Sequence, residues 1–175
     1  PVAMFFYHFC QQDHFLAKFL IAFSKLIQLL GNGAFLFVMI ILSLLVLKRY
    51  AYHPRIFHGL MNLAWCLVVI NFLIVFIKSP IGRARPILYV THHIAGFNFF
   101  TLEYNYLSFP SGHVVNITVM AALLCYYLPK KSALWMILGL IMVPFRVVYL
   151  KHYVSDVIFT IYLTLLIMPI AMMLY

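Results

Sequence analysis

The chain has 175 residues, 66% of them hydrophobic and only 9% charged, and its mean hydropathy is +1.06. Soluble domains carry roughly 25% charged residues, so a water-facing globular surface is excluded, and disorder is excluded by the same figures. Twelve Lys and Arg against three Asp and Glu give a net charge of +9. With so little water-facing surface this points to anionic lipid or an anionic substrate, not to nucleic acid.

A membrane span needs about 20 largely apolar residues. In chain order, residues 33–50, 60–77, 111–128, 133–149 and 157–175 meet or nearly meet that requirement. Residues 1–13 lack the basic segment, apolar core and small-residue cleavage site of a signal peptide. Residues 15–30 keep a helical apolar period through Leu16, Phe19, Leu20, Phe23, Leu26, Ile27 and Leu30, with Lys18, Ser24, Lys25 and Gln28 opposite. This segment reads as a first span, with a helix lying flat at the interface as the alternative. Gly31-Asn32-Gly33 marks a tight turn, and the basic stretches at 48–55 and 129–131 are short connections. The long connection runs from Lys78 to Pro110. No internal repeat is visible, so residues 1–175 read as a single all-α domain, a polytopic bundle of six transmembrane helices.

Helix order puts the connections after Tyr50 and Leu128 on one face. The 78–110 loop and the turn near 146–156 share the other. The positive-inside count ties, with Lys48, Arg49, Arg55, Lys130 and Lys131 against Lys78, Arg83, Arg85, Arg146 and Lys151.

Three patterns stand on the second face. They are Lys78, six residues and Arg85-Pro86; Pro110-Ser111-Gly112-His113; and Arg146, five residues, His152, three residues and Asp156. Lys78, Arg85 and Arg146 bring three cations to an apolar bundle with only Glu103 and Asp156 as acids on that face. Unpaired charge is costly there, and a phosphate would balance it. Ser111-Gly112 at a helix start adds backbone N–H groups and the positive dipole end, and Gly112 lets an anion approach closely. His152 and Asp156, four apart, would share a helix face. The carboxylate would then orient one ring nitrogen and leave the other as nucleophile. His113 would serve as general acid. Taken singly, each has a plainer reading: Arg146 and Lys151 as snorkelling helix-end cations, His152–Asp156 as a structural pair, and Ser111 as an N-cap.

Together these residues resemble the type 2 phosphatidic acid phosphatase superfamily, which includes bacterial membrane lipid phosphatases and the soluble vanadium haloperoxidases. The pattern is Lys-x6-Arg-Pro, Pro-Ser-Gly-His and Ser-Arg-x5-His-x3-Asp, and the one departure is Phe145 in place of the Ser. The resemblance implies a six-helix fold and phosphate binding by Lys78, Arg85, Ser111, Gly112 and Arg146. It also implies His152 as a nucleophile forming a phosphohistidine, Asp156 as its orienter and His113 as acid, without cofactor or metal. A bacterial inner membrane location with the site on the periplasmic face follows from the same resemblance and breaks the charge tie. The implied reaction is hydrolysis of a membrane lipid phosphate. The Gly82-Arg83-Ala84-Arg85-Pro86 run looks most like the lipid A 1-phosphatase and undecaprenyl-diphosphatase groups. Phosphatidylglycerophosphate or phosphatidic acid as substrate, and lipid phosphotransfer, are alternatives; a non-enzymatic anion or lipid transporter is a remote one.

Around this set, Arg83, Glu103 and Lys151 are possible substrate contacts, with Glu103 expected to pair with Arg83 or Lys151. His92-His93 reads as loop histidines because adjacent residues point apart. Cys10, Cys66 and Cys125 read as plain apolar-phase thiols. The aromatics between Phe97 and Phe109 read as an interfacial belt.

Overall fold

A computed structural model describes residues 2–11, 15–50 and 52–175. Residues 1, 12 and 13, which belong to the N-terminal reading, and the Cys10 side chain lie outside what is described. The helices are α1 Val2–Gln11, α2 Phe15–Leu30, α3 Gly33–Tyr50, α4 Pro54–Ile81, α5 Pro86–His92, α6 Gly112–Tyr127, α7 Ser132–Met142, α8 Phe145–Val148 and α9 Val154–Met173. Four segments among the described residues are long and apolar enough to cross a membrane: α3, α4, Pro129–Val148 and α9.

The shorter α6 is the centre of the bundle and packs on α4, α7 and α9. Its Val115, Val119 and Leu123 meet Cys66, Leu67, Ile70 and Ile74 of α4 and Met168 and Ala171 of α9. Polar side chains pin the packing where a missing partner would be costly. Asn71 Nδ2 donates to Asn116 Oδ1 at 2.7 Å, and Asn116 Nδ2 donates to the Gly31 carbonyl at 2.8 Å. At the opposite end, Asn62 Nδ2 donates to the Tyr127 hydroxyl at 3.2 Å and Arg55 Nη2 to the Tyr127 carbonyl at 3.3 Å. α6 therefore runs antiparallel to α4, and its N-terminus lies at the same end of the bundle as the C-terminus of α4. The segment expected at 133–149 is broken between α7 and α8 at Pro144, which has no N–H to continue the ladder.

Six spans are not shown by length alone, because α2 and α6 have 16 residues each. α2 has 16 residues, and its end packs Ile27 against Val114, Ile117, Val143 and Val157. Phe23 of α2 meets the Phe145 ring edge-on at 5.1 Å. α1, joined to α2, packs on α5 and α8, both at the site end. These neighbours place α1 and the end of α2 beside the site end of the bundle. The polar side of α2 is mixed: Ser24 is buried and donates to the Ile21 carbonyl, while Lys18 and Lys25 are exposed.

The long loop is ordered by its own backbone. Gly82 caps α4 in the left-handed region (φ 54°), with its N–H on the Lys78 carbonyl. Residues 83–85 then run between two flanks that pair with the backbone from Gly82 onward. Asn98 N donates to Gly82 O and Ala84 N to Gly96 O on one side, and Arg85 N donates to Asn105 O and Ser108 N to Arg83 O on the other. A Cβ on Gly82 would stand 1.7 Å from the Asn98 carbonyl oxygen, whereas one on Gly96 (φ 115°) would meet nothing within 4 Å. Gly82→Ala should therefore lower stability by at least about 2 kcal/mol, and by more than Gly96→Ala, which adds backbone strain alone. Thermal denaturation of the two variants side by side checks the order.

Candidate active site

The three patterns converge where α4, α6, α8 and α9 meet the loop. Lys78 comes from the last turn of α4, Arg85 from the extended run before α5, Ser111 to His113 from the start of α6, Arg146 from α8 and His152 from the turn before α9. Arg85, Arg146 and His152 are no more than 4% exposed and Asp156 is wholly buried.

Arg85 is held on several sides. Its guanidinium stacks over the Tyr104 ring at 3.8 Å, Nε donates to the Tyr104 carbonyl at 2.9 Å, and Nη1 donates to the Tyr104 hydroxyl at 3.1 Å. Burial pulls its pKa below the ordinary guanidinium value, while Tyr104 and Asp156 oppose that pull. Arg146 differs, because its Nε is buried without a hydrogen-bond partner. Its carbonyl accepts from the amides of Lys151 and His152, closing the turn that carries His152. Ser111 is the N-cap of α6, receives the Val114 N–H at 3.5 Å, and donates its own N–H to Thr160 Oγ1 at 2.9 Å. A methyl group on Gly112 would stand 4.0 Å from Lys78 Nζ, so the missing side chain keeps the space beside that ammonium open.

His113 bonds to the Gln28 backbone, and its Nε2 is buried without a partner. His152 offers Nδ1 to the Ser108 carbonyl at 2.5 Å. Burial, then the charges of Arg146, Arg85 and Lys78, hold the His152 pKa well below the usual histidine value, and the Ser108 contact opposes them. The ring is thus neutral near pH 7 and takes a proton only as pH falls through that lowered value. An orphaned Arg146 N–H, a cationic wall and a neutral imidazole together suit a phosphoryl group.

Three expectations need correction. First, His152 and Asp156 do not share a helix face, because α9 begins only at Val154 and His152 lies in the turn before it. Asp156 instead pairs with Arg83 Nη1, accepts from Ser108 Oγ at 2.7 Å and accepts the Tyr153 N–H at 2.9 Å. Second, Arg83 pairs with Asp156 and bonds Ser155 rather than Glu103; its guanidinium lies 4.5 Å over the Tyr153 ring, and its side chain stays partly exposed. Third, among the described residues exposed Glu103 makes no ion pair. Lys151 instead faces the Tyr104 ring at 5.7 Å, as the electrostatics of an aromatic face allow. His92 ends α5 and His93 is its left-handed cap, and neither joins a group of three metal-type ligands among the described residues. Phe145, in the position of the family Ser, packs on α2 and not on the cations.

Sequence reasoning missed Ser108 and Tyr104. Neither has a spacing signal, because both reach the site through the loop's backbone pairing. A cavity of about 560 Å³ opens beside His152, lined by Arg83, Tyr89, Phe97, Tyr153 and Ser155 among others, but not by Lys78, Arg85 or Arg146. Cavity and cationic cluster meet at His152.

An anion that binds only the folded site stabilises it by mass action, by about 2.7 kcal/mol at a hundredfold excess over Kd. Orthovanadate should raise the melting temperature of the protein in detergent. Arg146→Met should remove most of that rise, whereas an equal rise in the variant would show that the ion binds elsewhere.

Comparison with curated proteins and with solved structures gives no match. The PAP2 superfamily pattern matches residues 59–175, which takes in most of α4, the loop, α6 to α9 and every residue of the cluster. With two thirds of its length matched and the three patterns gathered at one end of the bundle, the chain belongs to the PAP2 superfamily, whose members are generally phosphatases.

Proposed function

We propose that the protein is an integral membrane lipid phosphatase that works through a phosphohistidine on His152. The carrying observation is a charge imbalance. Lys78, Arg85 and Arg146 all act on His152, while Asp156, the one buried carboxylate among the described residues, is paired with Arg83. A phosphate bound among the three cations supplies the missing negative charge, and their N–H groups stabilise the charge that spreads over its oxygens in the transition state.

In this reading His152 Nε2 attacks phosphorus as the bond to the leaving oxygen breaks. The negative charge of the bound phosphate favours a protonated His113, which gives that oxygen its proton, and the now neutral His113 next takes a proton from water. The resulting hydroxide attacks the phosphohistidine and releases phosphate with His152 restored. Ser111 and the α6 N-terminus hold a phosphate oxygen, with Gly112 leaving room. No metal or cofactor has a role in this scheme.

The substrate class follows from the setting. The cations sit at the ends of apolar helices, so a headgroup arrives along the membrane surface with its chains in the bilayer. Lipid A 1-phosphate and undecaprenyl diphosphate are the leading candidates, with phosphatidylglycerophosphate and phosphatidic acid next. A lipid hydroxyl could replace water in the second step and make the enzyme a phosphotransferase. The site would face the periplasmic side of a bacterial inner membrane. A transporter is disfavoured, because its ion sites would be expected near the bilayer midplane.

Purified protein supplied separately with these four lipids in the presence of a chelator should release phosphate from at least one. His152→Ala should reduce that release by about 1,000-fold or more with folding intact. Full activity in the variant, or no release from any lipid by the native chain, contradicts the reading.

A further inference from the structure

We propose that Ser108 and Arg83 are positioning residues for His152, linked through Asp156, so that the carboxylate acts on the imidazole at second hand. The inference rests on the reading of His152 as nucleophile, and its geometry stands apart from any substrate.

A carbonyl oxygen can only accept, so the contact between the Ser108 carbonyl and Nδ1 requires the proton on Nδ1 and leaves Nε2 with its lone pair. That is the tautomer a nucleophilic Nε2 needs. The position of the Ser108 carbonyl is then the variable that matters, and two bonds fix it. The Ser108 N–H donates to the Arg83 carbonyl at 3.1 Å. Its hydroxyl donates to Asp156 Oδ2 at 2.7 Å, and the Lys151 carbonyl lies 3.4 Å from the same oxygen as a weaker alternative. Asp156 is fixed in turn by Arg83 on its other oxygen and by the Tyr153 N–H.

Arg83 thus enters twice, with its carbonyl on Ser108 and its guanidinium on Asp156. It also touches Ser155 at 3.0 Å and lines the cavity beside His152, not the cationic cluster. A free phosphate-binding cation would not be neutralised by the one buried carboxylate in reach. The arrangement carries orientation from the loop to α9 and on to the ring.

The direct test is the tautomer of His152 in the full chain, labelled with 15N-histidine in detergent micelles and assigned by the signal lost in His152→Gln. The native protein should show protonated Nδ1 and bare Nε2. Ser108→Ala and Arg83→Gln should each add a population with the proton on Nε2, and Arg83→Lys should restore the native pattern at least in part. With the best-turned-over lipid phosphate, Ser108→Ala and Arg83→Gln should lower kcat by about 10- to 100-fold and leave KM within about twofold, the signature of lost alignment. A protonated Nε2 in the native chain, or a native tautomer and kcat in both variants, overturns the proposal. If no lipid phosphate is turned over, the phosphatase reading fails while the tautomer result still decides this one. Should Arg83→Gln not fold, Ser108→Ala carries the same measurement.

Discussion

The carboxylate of Asp156 meets Arg83, Ser108 and the Tyr153 amide in a space closed to solvent. Breaking a buried pair by removing one partner strands the other charge, at a cost of about 3–5 kcal/mol. The pair therefore clamps the loop to the first turn of α9. Two consequences follow for the site. The clamp sets the height of the Ser108 carbonyl under His152, and it ties the one buried acid among the described residues to Arg83. Asp156 still acts on Arg85, but a single carboxylate paired with Arg83 leaves Lys78, Arg85 and Arg146 with an excess of positive charge.

Order in the loop underlies the clamp. Gly82 turns the chain at the end of α4, and residues 82–85 then gain backbone partners on both flanks. That places Arg83 toward α9 and Arg85 toward the Tyr104 turn, two residues apart in an extended run. Alternate residues of an extended segment point to the same side in a flat strand. Here the two side chains reach different partners, and the twist of this short run allows both. Arg83 of the Arg83-Ala84-Arg85 triplet thus meets the buried carboxylate, and Arg85 stacks on Tyr104.

The three patterns were legible in the sequence because each carries rare residue types at fixed spacing, and the helices that deliver them have apolar stretches long enough to detect. Parity of the helices then placed all three at one end. What the sequence hid has physical causes. The His152–Asp156 spacing suggests a helix face, but Tyr153 is the cap and the ring lies outside the helix. Ser108 carries no signal, since its role depends on a backbone carbonyl and on pairing across more than twenty residues. α2 has an apolar face suited to a span, and its packing with α1 and α8 at the site end was not readable from that face. Charge complementarity alone pairs Glu103 with a nearby cation, yet it is exposed without an ion pair, while Arg83 finds the better-buried acid.

The account turns on a covalent phosphoryl group on one ring nitrogen. Native protein given a 32P-labelled lipid phosphate and quenched within milliseconds in alkali should carry label that survives base and is lost in acid, the behaviour of a phosphoramidate. Peptide mapping should place that label on His152. Label on His113 or another residue, or steady turnover that leaves no labelled protein at any quench time, would contradict it.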